Sequence, residues 1–209
     1  RIVPGYYQRL DANGEVEHST CCDNTATEHR MMARLMIDSA VVWARDYRID
    51  SMRFDLMGHQ PREAMERLQR AVNAASGRRI DLIGEGWNFG EVENGQRFVQ
   101  AAQKSLNGSG IATFSDRARD AARGSSWGSP QDTLHNRGWI HGGGSAQQAD
   151  LLRVGLAGTL ENFQMTDRSG NRVPLSRIDY NGQPAGYASQ PGEVVNYVEN
   201  HDNQTLFDN

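Results

Sequence analysis

The feature that most constrains this chain is an alternation of short apolar runs with longer amphipathic ones. Residues 49–56, 80–83, 111–114 and 194–198 read as strands, each brief and followed by polar residues at its C-terminal end. Ahead of the first, a helix is expected to about Tyr47. Thr25-Ala-Thr-Glu28 matches a capping box, and Met32, Leu35/Met36, Ser39, Trp43 and Tyr47 recur at helical spacing. Pro61 suits the first turn of a second helix, with Met65, Leu68 and Val72 inward and Gly77 as its stop. Weaker helical patterns cover 96–106, 116–123 and 146–160, while 124–145, with Gly142-Gly143-Gly144, reads as a long surface loop. Residues 167–171 and 181–186 read as turns. Strand and helix in alternation imply an α/β fold with a parallel sheet and helices outside it. The alternation leaves open whether that sheet is open or closes into a barrel.

Composition removes several functions. The 209 residues include 16 aromatics, an ordinary complement for a packed core, so intrinsic disorder is excluded. No apolar run approaches the ~18–20 residues of a membrane span. A formal charge of -4 offers no basic field for nucleic acid. Lys104 is the lone lysine and no Gly-rich phosphate loop surrounds it. The other basic residues are arginines, a preference read as lineage bias. The two cysteines, Cys21 and Cys22, are neighbours, poorly placed for a disulfide and without the partners of a zinc site; they are expected to be free thiols in a loop.

The ends of the strands carry the chemistry. Arg53 and Asp55 leave the same face of the first strand, where a guanidinium would hold the carboxylate oriented. Glu85 ends the second strand between two glycines and beside Trp87, sterically open and with an aromatic wall, as suits a general acid. His201-Asp202 follows the last strand. Three acids at one end of a parallel sheet suit retaining glycoside hydrolysis, which needs two carboxyls ~5–5.5 Å apart. The chemical alternative, a metal site, has too few imidazoles for zinc.

These segments resemble, in order and spacing, the signature regions of the α-amylase superfamily of glycoside hydrolases. Met52-Arg-Phe-Asp-Leu-Met-Gly-His59 is similar to the second region, Leu82-Ile-Gly-Glu-Gly-Trp87 to the third and Tyr197-Val-Glu-Asn-His-Asp-Asn203 to the fourth. Tyr6-Tyr-Gln-Arg-Leu10, Ser19-Thr-Cys-Cys22, Glu28-His-Arg-Met-Met32, Phe114-Ser-Asp-Arg-Ala-Arg-Asp120 and His201-Asp-Asn-Gln-Thr205 resemble the pullulanase and limit-dextrinase branch.

The resemblance implies a retaining hydrolase of α-1,6-glucosidic branches in pullulan, starch or glycogen limit dextrins. It makes Asp55 the nucleophile, Glu85 the general acid/base and Asp202 the transition-state stabiliser. Arg53 and His201 would contact the sugar before the scissile bond, with Trp87 and His59 lining the cleft. It implies a (β/α)8 TIM barrel, of which residues 1–209 are one partial catalytic domain, strands four to seven plus the loop after strand three, truncated at both ends. Accessory domains and the first signature region would lie outside the chain, and the chain alone is expected to be inactive. Ser51-Met52 stands where the family usually has Gly-Phe. No cofactor is required for the chemistry, and a structural calcium has no assignable ligands. An α-glucan is the expected partner and an extracellular or bacterial cell-surface location the expected setting. The competing readings are a branching enzyme or transglycosylase with the same trio, and a catalytically inactive carbohydrate-binding fragment.

Overall fold

The computed structural model describes residues 3, 5–124, 130–202 and 205–207, with the backbone alone at 130, 133 and 134. The chain divides into two compact units, Arg1–Thr113 and Phe114–Asn209.

In the first unit, α1 (Arg30–Arg45) leads into β1 (Ser51–Phe54), α2 (Arg62–Ser76) and β2 (Asp81–Gly84). β1 and β2 are parallel, with Ser51 opposite Asp81 and Phe54 opposite Gly84. β3 (Ala112–Ser115) begins beside β2, also parallel, with Ala112 opposite Ile83. The α/β class with a parallel sheet therefore holds.

α2 keeps the boundaries its sequence dictates. Pro61 is its N-cap residue, and Gly77 ends it at φ 66°, a left-handed conformation that glycine adopts without a Cβ penalty. Met65, Leu68 and Val72 are fully buried, and they pack with Ile80, Leu82, Ile111 and the alanines of α1. Each large side chain buried this way contributes roughly 1.5–3 kcal/mol.

α1 departs from expectation twice. It starts at Arg30, after an N-cap His29 that makes no side-chain cap bond, so the Thr25–Glu28 box does not form. Thr25 instead bridges Gln8, and the Glu28 carboxylate is taken by Arg9. The buried face is also rotated by one residue, about 100°. Ala33, Ala40 and Ala44 face inward with Met36, Ile37 and Val41, while Leu35, Trp43 and Tyr47 are exposed. Alanines let α1 lie close to α2, and Trp43 and Tyr47 pack on each other with ring centroids 4.6 Å apart.

The helix expected at 96–106 is absent: the segment is bends and turns after a 3-10 stretch, Gly90–Gly95. Its amides are used elsewhere. Ala101 N–H donates to Gln60 and Gln103 N–H to Gly86, contacts that a helix would forfeit.

In the second unit β3 ends and α3 (Asp116–Arg123) follows directly, as expected. The expected loop 124–145 holds a short helix, α4 (Pro130–His135), and a 3-10 turn, Trp139–His141; residues 125–129 lie outside the described residues. α5 (Ala146–Leu156) opens with a capping box of Ser145 and Gln148 and stops four residues short of the expected end. Gly155 lets it cross α3, since a Cβ there would collide with that of Ala118. β4 (Gln164–Thr166) and β5 (Arg172–Pro174) form an antiparallel hairpin whose turn is closed by Asp167, which accepts from the amides of Ser169 and Asn171 at 2.9 Å. β6 (Asp179–Tyr180) and β7 (Gln183–Pro184) are joined by Asn181-Gly182, both at positive φ, the pattern of a tight hairpin. β8 (Val194–Asn196) is the neighbour of β3 and ends two residues earlier than expected.

The arginines of α3 are structural. Arg117 lies over the rings of Tyr180 and Tyr187, at 4.7 and 4.8 Å. Arg119 donates to the Tyr197 hydroxyl at 2.7 Å.

Candidate active site

Register brings the first two acids together. Because Phe54 and Gly84 are opposite each other, the next residue on each strand, Asp55 and Glu85, emerges at the same edge of the sheet. Glu85 N–H donates back to the Phe54 carbonyl at 3.1 Å, and Gly58 N–H donates to the Glu85 carbonyl at 2.8 Å. The loop after β1 is thus tied to the end of β2.

Glycine permits that tie. A Cβ on Gly84 would lie 2.8 Å from the Cβ and Sδ of Met57, and one on Gly58 would run into the Trp87 carbonyl. The Gly-Glu-Gly-Trp segment reads as the footprint of one loop pressed on another.

One guanidinium serves both acids. Arg53 Nη1 pairs with Asp55, and its Nη2 is 3.1 Å from Glu85 Oε1. The second Glu85 oxygen, Oε2, accepts from the backbone N–H of Leu56 at 2.7 Å. Leu56 sits at φ 46°, ψ 41°, left-handed for a residue with a branched side chain. Such a conformation costs about 1–3 kcal/mol. Asp55 has a side chain 71% exposed, whereas that of Glu85 is 9% exposed. An open carboxylate for attack and a sheltered one for proton transfer is a chemically useful asymmetry.

Trp87 is half-buried one residue beyond Gly86. His59 is 3% exposed, its ring edge-on to Phe89 and its Nδ1 3.7 Å from Glu91. Burial lowers its pKa. Neither of its ring nitrogens has a hydrogen-bond partner among the described residues.

Sequence reasoning missed what lies behind His59. Arg9, almost wholly buried, pairs with Glu28 through Nε at 2.8 Å and with Glu91 through Nη1 at 2.7 Å, and donates from Nη2 to the His59 carbonyl at 2.8 Å. Burial alone would raise the Glu91 carboxyl, but hydrogen bonds from Ser19, Arg9 and Asn24 hold it down at about 2. The partners are 19, 82 and 50 residues apart, so no local motif announces them. Cys21 and Cys22, in the same opening segment, are free and exposed.

His201 and Asp202 belong to the second unit. Both are exposed, with His201 Nε2 3.8 Å from Asp202 Oδ1, and the Asp202 amide donates to Asn200 Oδ1 at 2.9 Å. Among the described residues no three His, Cys, Asp or Glu side chains group as metal ligands. No helix there is long and apolar enough to cross a membrane.

No family model matches the chain. It is, however, 47% identical over 227 aligned residues to a pullulanase of Klebsiella pneumoniae, a match that takes in 100% of the chain. The chain is a pullulanase homologue. It is also 40% identical, over its whole length, to pullulanase 1, chloroplastic, of Arabidopsis thaliana. The match spans 20% of the Klebsiella pullulanase and 24% of the plant one. The crystal structure of a maltotriose complex of the Klebsiella pneumoniae protein superposes with a TM-score of 0.92 at 45% identity, over 99% of the chain and 23% of that structure. Apo pullulanase from Paenibacillus barengoltzii superposes at 0.74 with 31% identity, covering 98% of the chain and 27% of that structure.

Proposed function

We propose that this pullulanase homologue forms part of the (β/α)8 catalytic barrel of a debranching hydrolase that cleaves α-1,6-glucosidic links in pullulan, starch or glycogen limit dextrins. In this reading β1, β2, β3 and β8 are strands four to seven, the opening segment is the loop after strand three, and residues 1–209 are part of one catalytic domain. The observation that carries the reading is the Arg53 guanidinium spanning Asp55 and Glu85 at the ends of adjacent parallel strands. Adjacent strands lie ~4.7–4.9 Å apart, so carboxyls at their ends fall nearer the ~5–5.5 Å spacing of retaining enzymes than the ~6.5–9.5 Å of inverting ones.

Asp55 attacks the anomeric carbon while Glu85 protonates the glycosidic oxygen. The glycosidic bond breaks as the Asp55 ester forms. Water then displaces Asp55 at the same carbon, giving its proton to Glu85, so configuration is retained and no cofactor is needed. Asp202 stabilises the positive charge of the transition state. Arg53 and His201 hold the sugar before the scissile bond, and Trp87 and the covered His59 bound the cleft. Pullulan is too large to enter a bacterial cell intact, and for that substrate the setting is extracellular or at the cell surface.

The test uses the enzyme that contains this chain. Asp55→Asn keeps shape but not nucleophilicity, and should lower kcat on pullulan by at least ~10³-fold while substrate still binds. A variant with a tenth of the wild-type turnover would refute the assignment. An NMR time course should show the product with the anomeric configuration of the cleaved bond.

A further inference from the structure

We infer that the backbone N–H of Leu56, aimed by a left-handed residue placed directly after Asp55, fixes the carboxyl plane of Glu85 and with it the direction in which its proton is transferred. Leu56 is a positioning residue, since it touches the acid and not the substrate. The inference rests on the reading of Glu85 as the general acid/base.

The geometry is specific. Left-handed backbone is rare for leucine, and nothing in a helix or strand calls for it here. Its consequence is a single directed contact, Leu56 N–H to Glu85 Oε2 at 2.7 Å. A carboxylic acid has one hydroxyl oxygen and one oxygen that only accepts. An amide N–H fixed on Oε2, with the Arg53 guanidinium 3.1 Å from Oε1, holds the carboxyl plane in one orientation. Among the described residues the charged groups paired with Glu85 are Arg53 and, through the same guanidinium, Asp55.

In the first half-reaction the Glu85 O–H bond breaks and its proton goes to the glycosidic oxygen, whose bond to the anomeric carbon breaks as the Asp55 ester forms. Water returns a proton to Glu85 in the second half as the ester opens. Without the Leu56 donor the carboxyl can turn, and the proton no longer has a fixed direction.

The test separates the N–H from the side chain. In the enzyme containing this chain, Leu56 is replaced by its α-hydroxy acid analogue through nonsense suppression, exchanging the amide N–H for an ester oxygen at constant shape. Activity is measured on pullulan, whose leaving group needs protonation, and on a maltooligosyl fluoride, whose leaving group needs little. The ester should lose about ten- to hundredfold in kcat/KM on pullulan and less than about threefold on the fluoride, the second value also reporting an intact fold. Leu56→Gly, which keeps the N–H and tolerates positive φ, should hold the wild-type ratio between substrates. Equal losses on both substrates, or none on either, would overturn the role of Leu56 if Glu85→Gln remains selective for pullulan. A Glu85→Gln variant that shows no selectivity would overturn the acid assignment itself and the Leu56 role with it.

Discussion

Replacing Arg9 by methionine tests whether the buried ion-pair network supports the site loop. The substitution keeps length and apolar stem but removes the guanidinium from Glu28, Glu91 and the His59 carbonyl together. The Arg9 side chain is 1% exposed and that of Glu91 7%, so the loss leaves a charge buried without its counter-ion. Breaking such a pair from one side costs about 3–5 kcal/mol. Because each 1.4 kcal/mol is a factor of ten, local opening should rise by roughly two to three and a half orders of magnitude. Hydrogen exchange read on peptides covering residues 7–26 and 86–92 measures this directly, through amides such as Arg9 N–H to Asn24 and Ala26 N–H to Tyr7. The double variant Arg9→Met with Glu91→Gln should recover much of the loss, since the stranded charge is gone. Acceleration below about fivefold in the single variant, or no recovery in the double, would show that the network is ornamental.

Acid should weaken the first unit in two stages. His59 has a lowered pKa when folded, so the unfolded chain binds more protons and stability falls as pH drops through about 6.5. Glu91 is held at about 2 against an ordinary 4.5, so its contribution is whole above 4.5 and lost as pH falls toward 2. Thermal melts across pH should show both limbs, with Glu91→Gln removing the lower and enlarging the upper, because the Glu91 charge supports the His59 imidazolium. Gly84→Ala should destabilise by about 1–3 kcal/mol and lower turnover on pullulan, because the added methyl meets Met57 and the Phe54 carbonyl; unchanged activity and melting would contradict the close approach described for that loop.

Local chemistry was legible in the sequence and distant chemistry was not. Pro61 and Gly77 bound α2 because each acts through its own backbone angle. Arg53 and Asp55 share a face because strands alternate, and the register beside Glu85 follows from the parallel pairing. The capping-box pattern at Thr25–Glu28 does not start α1 because those residues answer to Gln8 and Arg9 rather than to the helix. Leu35, Trp43 and Tyr47 mark the helical period but stay exposed, and alanines provide the buried face. Leu56 carried no mark at all: a left-handed leucine is imposed by its surroundings, with no glycine or asparagine to announce it.

The pressing of Gly58 on Trp87 and of Gly84 on Met57 bears on how such a site can be redesigned or drift. A larger residue at either position meets protein backbone or a buried neighbour before it meets a sugar. The contact between the two loops therefore has no adjustable parts, and a change there shifts Glu85. New specificities would have to be written in side chains of the first unit that already reach solvent.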